Sequence, residues 1–175
     1  MSSLKEIIVK DYAKYVVKET LKWSNNPIQA QEKVMKMLVS KAKNTKFGKD
    51  HNFEKILNYK DFSKQIPVRD YEDIKPYIEK IIEGNKSVLW PGRPIYFAKT
   101  SGTTSGEKYI PITKDSMPFH VKGSVEATMH YIVETNNTAF LNKKIIFLQG
   151  SPVLEDVNGI KTGRLSGIIA HYTPR

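Results

Sequence analysis

The stretch FAKTSGTTSGEKYIPIT (residues 97–113) decides how the chain is interpreted. Its centre, residues 100–108, holds two glycines, five Ser or Thr side chains, one acid and one lysine. Apolar runs flank it at 95–98 and 109–112, and both are typical of β-strands, with Pro111 favouring an edge strand or a bulge. We therefore predict a buried strand, a polar loop over 100–108 and a return strand.

The composition of this loop predicts a phosphate-binding site. Gly102 and Gly106 permit positive φ, so backbone N–H groups can turn inward and line an anion-binding concavity. Lys108 can supply a point charge. Three residues separate the glycines and Glu107 precedes the lysine, so neither the Walker loop nor G-x-G-x-x-G matches. Neutral hydroxyl donors complete the predicted set: Thr100, Ser101, Thr103, Thr104 and Ser105.

The rest of the chain predicts an α/β fold with leading helices. Apolar spacing and break residues predict helices over 4–23, 27–43, 59–65, 69–83 and 114–135, the last with Thr113 as its N-cap. Apolar runs predict further strands over 144–148 and 163–170. We expect a helical lead-in (1–45), a helix and loop region (46–94) and an α/β part (95–175).

Composition excludes several classes of protein. The 175 residues contain no Cys, which excludes disulfide scaffolds and thiol nucleophiles. The net charge of +10 is compatible with an anionic partner, but the lysines are dispersed along the sequence and no nucleic-acid-binding motif occurs. We expect no nucleic-acid partner, no membrane insertion and a cytoplasmic location. The first helix fits a basic membrane-surface element or, as we favour, a helix packed on its own domain.

Other constellations give weaker signals. The four histidines have no metal-ligand spacing, and the G-x-S-x-G nucleophile motif is absent, so no metal ligand or catalytic nucleophile is predicted. Gln149 and Ser151 directly follow the predicted strand over 144–148. Such positions in α/β sheets hold either ligand contacts or satisfied turns, and both alternatives stay open.

The segment TSGTTSGEK resembles the phosphate-binding signature of the adenylate-forming superfamily, the acyl-CoA synthetase and luciferase group. The YIPIT that follows it is more similar to the acyl-acid amido synthetases of the auxin-responsive Gretchen Hagen family. IIFLQGSPV (145–153), GRLSGIIAHYTPR (163–175) and the region 47–78 resemble bacterial members of that family. The resemblance implies the N-terminal portion of a large adenylation domain, incomplete in this chain.

The resemblance also implies an activity. ATP, with Mg²⁺ held by an acidic residue downstream of this chain, would adenylate a carboxylic acid, and an amino acid or other amine would take the acyl group. Residues 100–106 and Lys108 would bind phosphate. Val125 and Met129, four apart on the next helix, would face the acyl substrate, although core packing is the commoner role of such a pair. The alternatives are an acyl-CoA or acyl-protein synthetase and a non-catalytic nucleotide-binding module.

Overall fold

Helices and a small mixed sheet make up the computed structural model, which describes residues 4–102, 106–144, 146 and 148–173. The described helices are α1 (Leu4–Ser24), α2 (Pro27–Ala42), α3 (Lys46–Asp50), α4 (Tyr59–Gln65), α5 (Tyr71–Ile82), α6 (Met117–Thr135) and α7 (Leu165–Tyr172). The described strands are β1 (Tyr96–Gly102), β2 (Gly106–Ile112), β3 (Glu155–Val157) and β4 (Ile160–Gly163). None of the described helices is long and apolar enough to cross a membrane.

The chain divides into two compact units. One comprises Met1–Ala30 and Pro118–Leu148, and the other comprises Gln31–Met117 and Gln149–Arg175. In the first unit, α1 and α6 share a core of Ala13, Val16, Met129 and Ile132. Helix α1 therefore packs on its own domain, as predicted.

Only some of the apolar residues of α1 pack in this core. Small or β-branched residues at 13 and 16 are buried, whereas Leu4, Ile8 and Tyr15 are at least half exposed. Ala13 is fully buried, and a side chain of that size allows two helices to approach closely. Apolar spacing therefore predicts the helix, and Val16 is one of its apolar residues that pack in the core.

The second unit contains a four-stranded sheet of order β2-β1-β4-β3 in the described residues. Two antiparallel hairpins, β1–β2 and β3–β4, are joined by parallel pairing of β1 with β4. The parallel register places Ala98 opposite Gly163. Strand β1 continues past that point to Gly102, so the β1–β2 ribbon extends beyond the carboxyl end of β4.

Each face of the sheet has its own core, because successive strand residues point to opposite sides. On one face, Phe97 and Ile160 pack with Ile78 and Ile81 of α5 and with Val88. A second cluster, formed with α7, contains Ala98, Ile112, Met117 and Ile168. Helices thus cover the sheet on both sides, which confirms the α/β class.

Local side chains explain where α5 and α6 begin. Asp70 caps α5: its carboxylate accepts from the amide of Asp73 at 3.1 Å, and the Asp73 carboxylate accepts from the amide of Asp70 at 3.3 Å. Thr113 accepts from the amide of Ser116 at 3.0 Å, as predicted for a cap, but residues 114–116 form a turn. Helix α6 therefore begins at Met117, three residues later than the prediction.

Two predicted strands differ from the structure. In the predicted strand over 144–148, Ile145 and Phe147 lie outside the described residues. Ile146 and Leu148 are exposed, and neither forms a strand. Most of 163–170 is helix α7 instead, because Ile168 reaches the core by helical packing and Gly167 lies against the backbone of Ser151. A short apolar run fits a buried strand or a buried helix equally well, so periodicity could not separate them.

Candidate phosphate-binding site

The polar segment forms the end of a β-ribbon. Strand pairing continues through Thr100↔Lys108 and Ser101↔Glu107 to Gly102↔Gly106. Residues 100–102 and 106–108 of the predicted nine-residue loop are thus paired strands, and residues 103–105 lie outside the described residues. Gly106 has φ of +80°, and a Cβ added there would meet nothing within 4 Å. Because residues 100–102 pair with residues 106–108 through their backbones, their polar composition suggested a longer loop than the structure has.

A cleft of about 870 Å³ lies beside this ribbon, within the second unit. It is bounded by the hairpin, by the segment around 151–155 and by the junction of β4 with α7. Its lining combines hydroxyl groups with charged groups of both signs. The lining residues are Lys99, Thr100, Gly106, Glu107, Ser151, Val153, Glu155, Thr162, Gly163, Arg164, Leu165 and Ser166.

Lys99 of β1 forms ion pairs with residues of two other strands at this cleft. Its Nζ lies 2.6 Å from Oε2 of Glu155 on β3 and 3.0 Å from Oε2 of Glu107 on β2, and its side chain is only 15% exposed. The Tyr109 hydroxyl donates to Glu107 at 3.2 Å. Hydrogen bonds to Glu155 and then Glu107 raise the pKa of Lys99 above its usual value, and the bond from Lys99 lowers the pKa of Glu107. The ammonium is therefore engaged within the protein.

The ion network predicts a pH-dependent stability difference between the protein and its Glu107→Gln variant. Because folding lowers the pKa of Glu107, its contribution is present above its usual pKa of 4.5 and is lost as the pH falls below that value. The raised pKa of Lys99 keeps its contribution present below 10.5. We expect Glu107→Gln to lower the urea midpoint at pH 7 and the difference to be smaller at pH 3, where Glu107 becomes protonated in the unfolded chain.

An exposed carboxylate outside the network provides the control for that comparison. Glu72 forms an ion pair with Lys75 at 3.5 Å on α5, and Glu72→Gln should change the midpoint less than Glu107→Gln at pH 7. A Glu107→Gln difference of the same size at both pH values would contradict an electrostatic role for the network.

Only some of the predicted phosphate-binding residues that the structure describes line the cleft. Thr100 and Gly106 line the cleft, and Ser101 and Gly102 pair within the ribbon. Thr103, Thr104 and Ser105 lie outside the described residues. Lys108 is half-buried, and its Nζ lies 5.2 Å from the centre of the Tyr71 ring, within cation–π range. Phosphate binding by these residues stays a prediction.

The residues predicted with less support are also placed. Met129 is buried in the α1–α6 core, whereas Val125 is 40% exposed on α6. Their assignment to the acyl substrate stays a prediction, and packing already accounts for Met129. Ser151 lines the cleft, and its hydroxyl accepts from the amide of Val153 at 3.2 Å. Gln149 is exposed.

Three charged residues of the cleft were missed in the sequence: Lys99, Glu155 and Arg164. A signal existed for Lys99, because alternation along β1 places it on the same face as the buried Phe97. Glu155 and Arg164 became visible only through the parallel pairing of β1 with β4 and the start of α7 at Leu165. That pairing joins segments more than 60 residues apart in the chain.

Several known proteins are similar to this chain in sequence or in fold. Indole-3-acetic acid-amido synthetase GH3.2 of Arabidopsis thaliana is 33% identical over 96 residues, which are 54% of this chain and 18% of that protein. GH3.4 of the same plant is 35% identical over 88 residues, 50% of this chain and 15% of that protein. The structure of the AtGH3.15 acyl acid amido synthetase in complex with 2,4-DB matches with a TM-score of 0.76 at 23% identity. That match covers 91% of this chain and 28% of the other.

The fold is that of the N-terminal part of an acyl acid amido synthetase. The family model described as "GH3 family N-terminal domain" matches residues 16–174. The chain belongs to the GH3 family, which confirms the resemblance found in the sequence. It spans less than a third of the length of these relatives.

Proposed function

We propose that this chain supplies the ATP phosphate-binding hairpin of an enzyme that adenylates a carboxylic acid and transfers the acyl group to an amine. The carrying observation is the Ser/Thr/Gly ribbon of β1 and β2, which borders an 870 Å³ cleft in a chain of the GH3 family. Hydroxyl and amide donors bind phosphate oxygens without a fixed charge that would retain the product.

The residues present fit a polyphosphate. Space beside Gly106 is open, so phosphate oxygens could approach the backbone closely. Thr100 and Ser166 add hydroxyls to the cleft lining, and Arg164 adds a guanidinium. No group of three or more His, Cys, Asp or Glu in the described part of the chain is arranged to hold a metal ion. Mg²⁺ is therefore proposed to enter with the nucleotide, held by its phosphates and by an acidic residue outside this chain.

The proposed reaction has two steps. A carboxylate oxygen of the acid bonds to the α-phosphorus of ATP while the α–β phosphoanhydride bond breaks and pyrophosphate leaves. The amine nitrogen then bonds to the acyl carbon, AMP leaves, and the nitrogen loses a proton. The role of the hairpin belongs to the first step, where its donors would stabilise charge that develops on the departing β- and γ-phosphates.

The names of the relatives suggest the substrate class. Indole-3-acetic acid-amido synthetases act on a small aromatic carboxylic acid, and the AtGH3.15 structure contains 2,4-DB. We accordingly propose a small organic acid as the acyl donor and an amino acid as the acceptor. The cytoplasm is the proposed location, since ATP and free amino acids are both available there.

The test is acid-dependent exchange of labelled pyrophosphate into ATP by the full-length enzyme, with indole-3-acetic acid and 2,4-DB among the acids supplied. Mass spectrometry should then detect an acyl amide when an amino acid is added. A thioester formed only with coenzyme A would contradict the amide-forming step while keeping adenylation. Absence of exchange with every acid, by an enzyme shown to be folded, would contradict adenylation itself.

A further inference from the structure

Arg164 lies at the edge of the sheet from which both the β1–β2 ribbon and helix α7 emerge. β1 and β4 are parallel neighbours, so the ribbon that continues from β1 and the helix that follows β4 emerge at the same edge of the sheet. Ligands of α/β sheets bind at the carboxyl ends of parallel strands. Arg164 is the residue between β4 and α7, and it lines the same cleft as Thr100 and Gly106.

The charge distribution of the cleft distinguishes Arg164 from the other cation there. Lys99 is held between Glu107 and Glu155 at 3.0 Å and 2.6 Å. That group of three side chains has one more negative than positive charge and would repel an anion. Among the residues that the structure describes, the guanidinium of Arg164 has no carboxylate partner, and the side chain makes no cap hydrogen bond. Of the two described cations that line the cleft, Lys99 and Arg164, only Arg164 is therefore available to an anion.

The backbone that carries Arg164 is held by close packing on both sides. A Cβ at Gly163 would lie 2.6 Å from Cδ2 of Leu154, and one at Gly167 would lie 2.2 Å from the carbonyl oxygen of Ser151. The amide of Gly150 donates to the Ser166 hydroxyl at 3.0 Å. The turn between β4 and α7 is thus fixed at a short distance from the neighbouring loop, while the Arg164 side chain remains exposed.

We propose that Arg164 is a polyphosphate-binding residue of this cleft and holds the β- and γ-phosphates of the nucleotide from the side opposite the hairpin. This inference rests on the proposed function and adds a binding residue to it. A guanidinium keeps its charge at all accessible pH values and can donate two parallel hydrogen bonds to a phosphate. It provides the positive charge that Lys99, engaged with Glu107 and Glu155, does not provide.

The test is titration of the 175-residue chain with ATP, tripolyphosphate and adenosine, each with Mg²⁺, by calorimetry. Arg164→Gln should weaken ATP and tripolyphosphate to a similar extent, by about tenfold to a hundredfold, which is the range for a lost charge-assisted pair. Arg164→Lys should recover part of the loss, because it restores the charge without the planar fork. Adenosine binding should not change.

Lys161 supplies the matched control. It lies on β4, three residues before Arg164, and lines a different groove with Tyr96 and His171, so Lys161→Gln removes the same charge from a neighbouring position in the chain. Phosphate affinity should stay within about twofold of the unaltered chain. If Lys161→Gln and Arg164→Gln lower the affinity for ATP and tripolyphosphate equally, the effect comes from net charge alone and the proposal is overturned. Thermal unfolding should be alike in both variants, since both side chains are exposed.

The outcomes separate this inference from the proposed function. If Arg164→Gln binds ATP as the unaltered chain does, while Ser101→Ala with Thr103→Ala weakens binding, the hairpin assignment stands and the role of Arg164 is overturned. If the folded, unaltered chain binds neither ATP nor tripolyphosphate, the phosphate-binding roles of the hairpin and of Arg164 are both overturned, while exchange by the full-length enzyme still tests adenylation. Weakened binding of an acid such as indole-3-acetic acid, with tripolyphosphate unaffected, would assign Arg164 to the carboxylate and overturn its phosphate role.

Discussion

Replacing Ser101 and Thr103 together by alanine should reduce acid-dependent pyrophosphate exchange by about two to three orders of magnitude or more. The loss of one donor that stabilises developing charge costs roughly 10²- to 10³-fold in other enzymes, and two such hydroxyls are removed here. Folding should be unaffected, because the core clusters that the structure describes on the two faces of the sheet are formed by residues outside 100–106. The measurement is the exchange rate of the full-length enzyme at saturating acid, with circular dichroism as the check on folding.

A second double variant controls for the loss of two hydroxyls elsewhere. Ser63 and Thr135 are exposed on α4 and α6, where their hydroxyls donate only to carbonyls of their own helix turn, at 3.1 Å and 2.7 Å. Ser63→Ala with Thr135→Ala should keep full exchange activity. Exchange that survives in the hairpin variant at the level of this control would rule out the assignment of phosphate binding to the hairpin hydroxyls.

Gly167→Ala should have the largest effect on stability among the glycine substitutions near the cleft. The added Cβ would lie 2.2 Å from the carbonyl oxygen of Ser151 and 3.1 Å from its carbonyl carbon, so backbone must move. Overpacking of this kind costs about 1–3 kcal/mol, and we expect the upper end because Gly167 is buried. Urea unfolding followed by circular dichroism measures the change in the free energy of unfolding.

Gly123→Ala is the matched control for that substitution. Gly123 is exposed within α6, and a Cβ there would meet nothing within 4 Å. Alanine in an open helical position should raise the free energy of unfolding by roughly 0.5–1 kcal/mol. Changes of the same sign and size in both variants would show that close packing at Gly167 does not hold α7 against the Gly150–Ser151 segment.

Residues close together in the sequence predicted several helix boundaries and the first hairpin. Pro27 opens α2, and α4 matches the predicted range of 59–65. Capping by Asp70 explains why α5 begins two residues inside the predicted range. The hairpin of β1 and β2 was also predicted, together with the hydroxyl-rich segment that joins the strands. In each case the decisive residues are neighbours in the chain.

Features that depend on distant pairing could not be predicted in the same way. The segment after Gly163 was predicted as a strand, and its helix is recognisable only from the packing of Ile168 against the sheet. The roles of Lys99 and Arg164 depend on which strand lies beside β1. No spacing in a single sequence gives that neighbour, because β4 follows about 60 residues after β1. The composition of residues 100–108 therefore predicted the candidate site, whereas the positions of Lys99, Glu155 and Arg164 in it depend on strand pairing.

The most direct test of the central claim is a calorimetric titration of this 175-residue chain with ATP and Mg²⁺, beside Lys108→Ala and, as a control, Lys60→Ala on the exposed surface of α4. We predict measurable binding that weakens by about tenfold or more in Lys108→Ala and is unchanged in Lys60→Ala, as expected for one lost charge-assisted contact. A demonstrably folded chain that does not bind ATP, or that binds it equally well in all three forms, would contradict a phosphate-binding role for the hairpin.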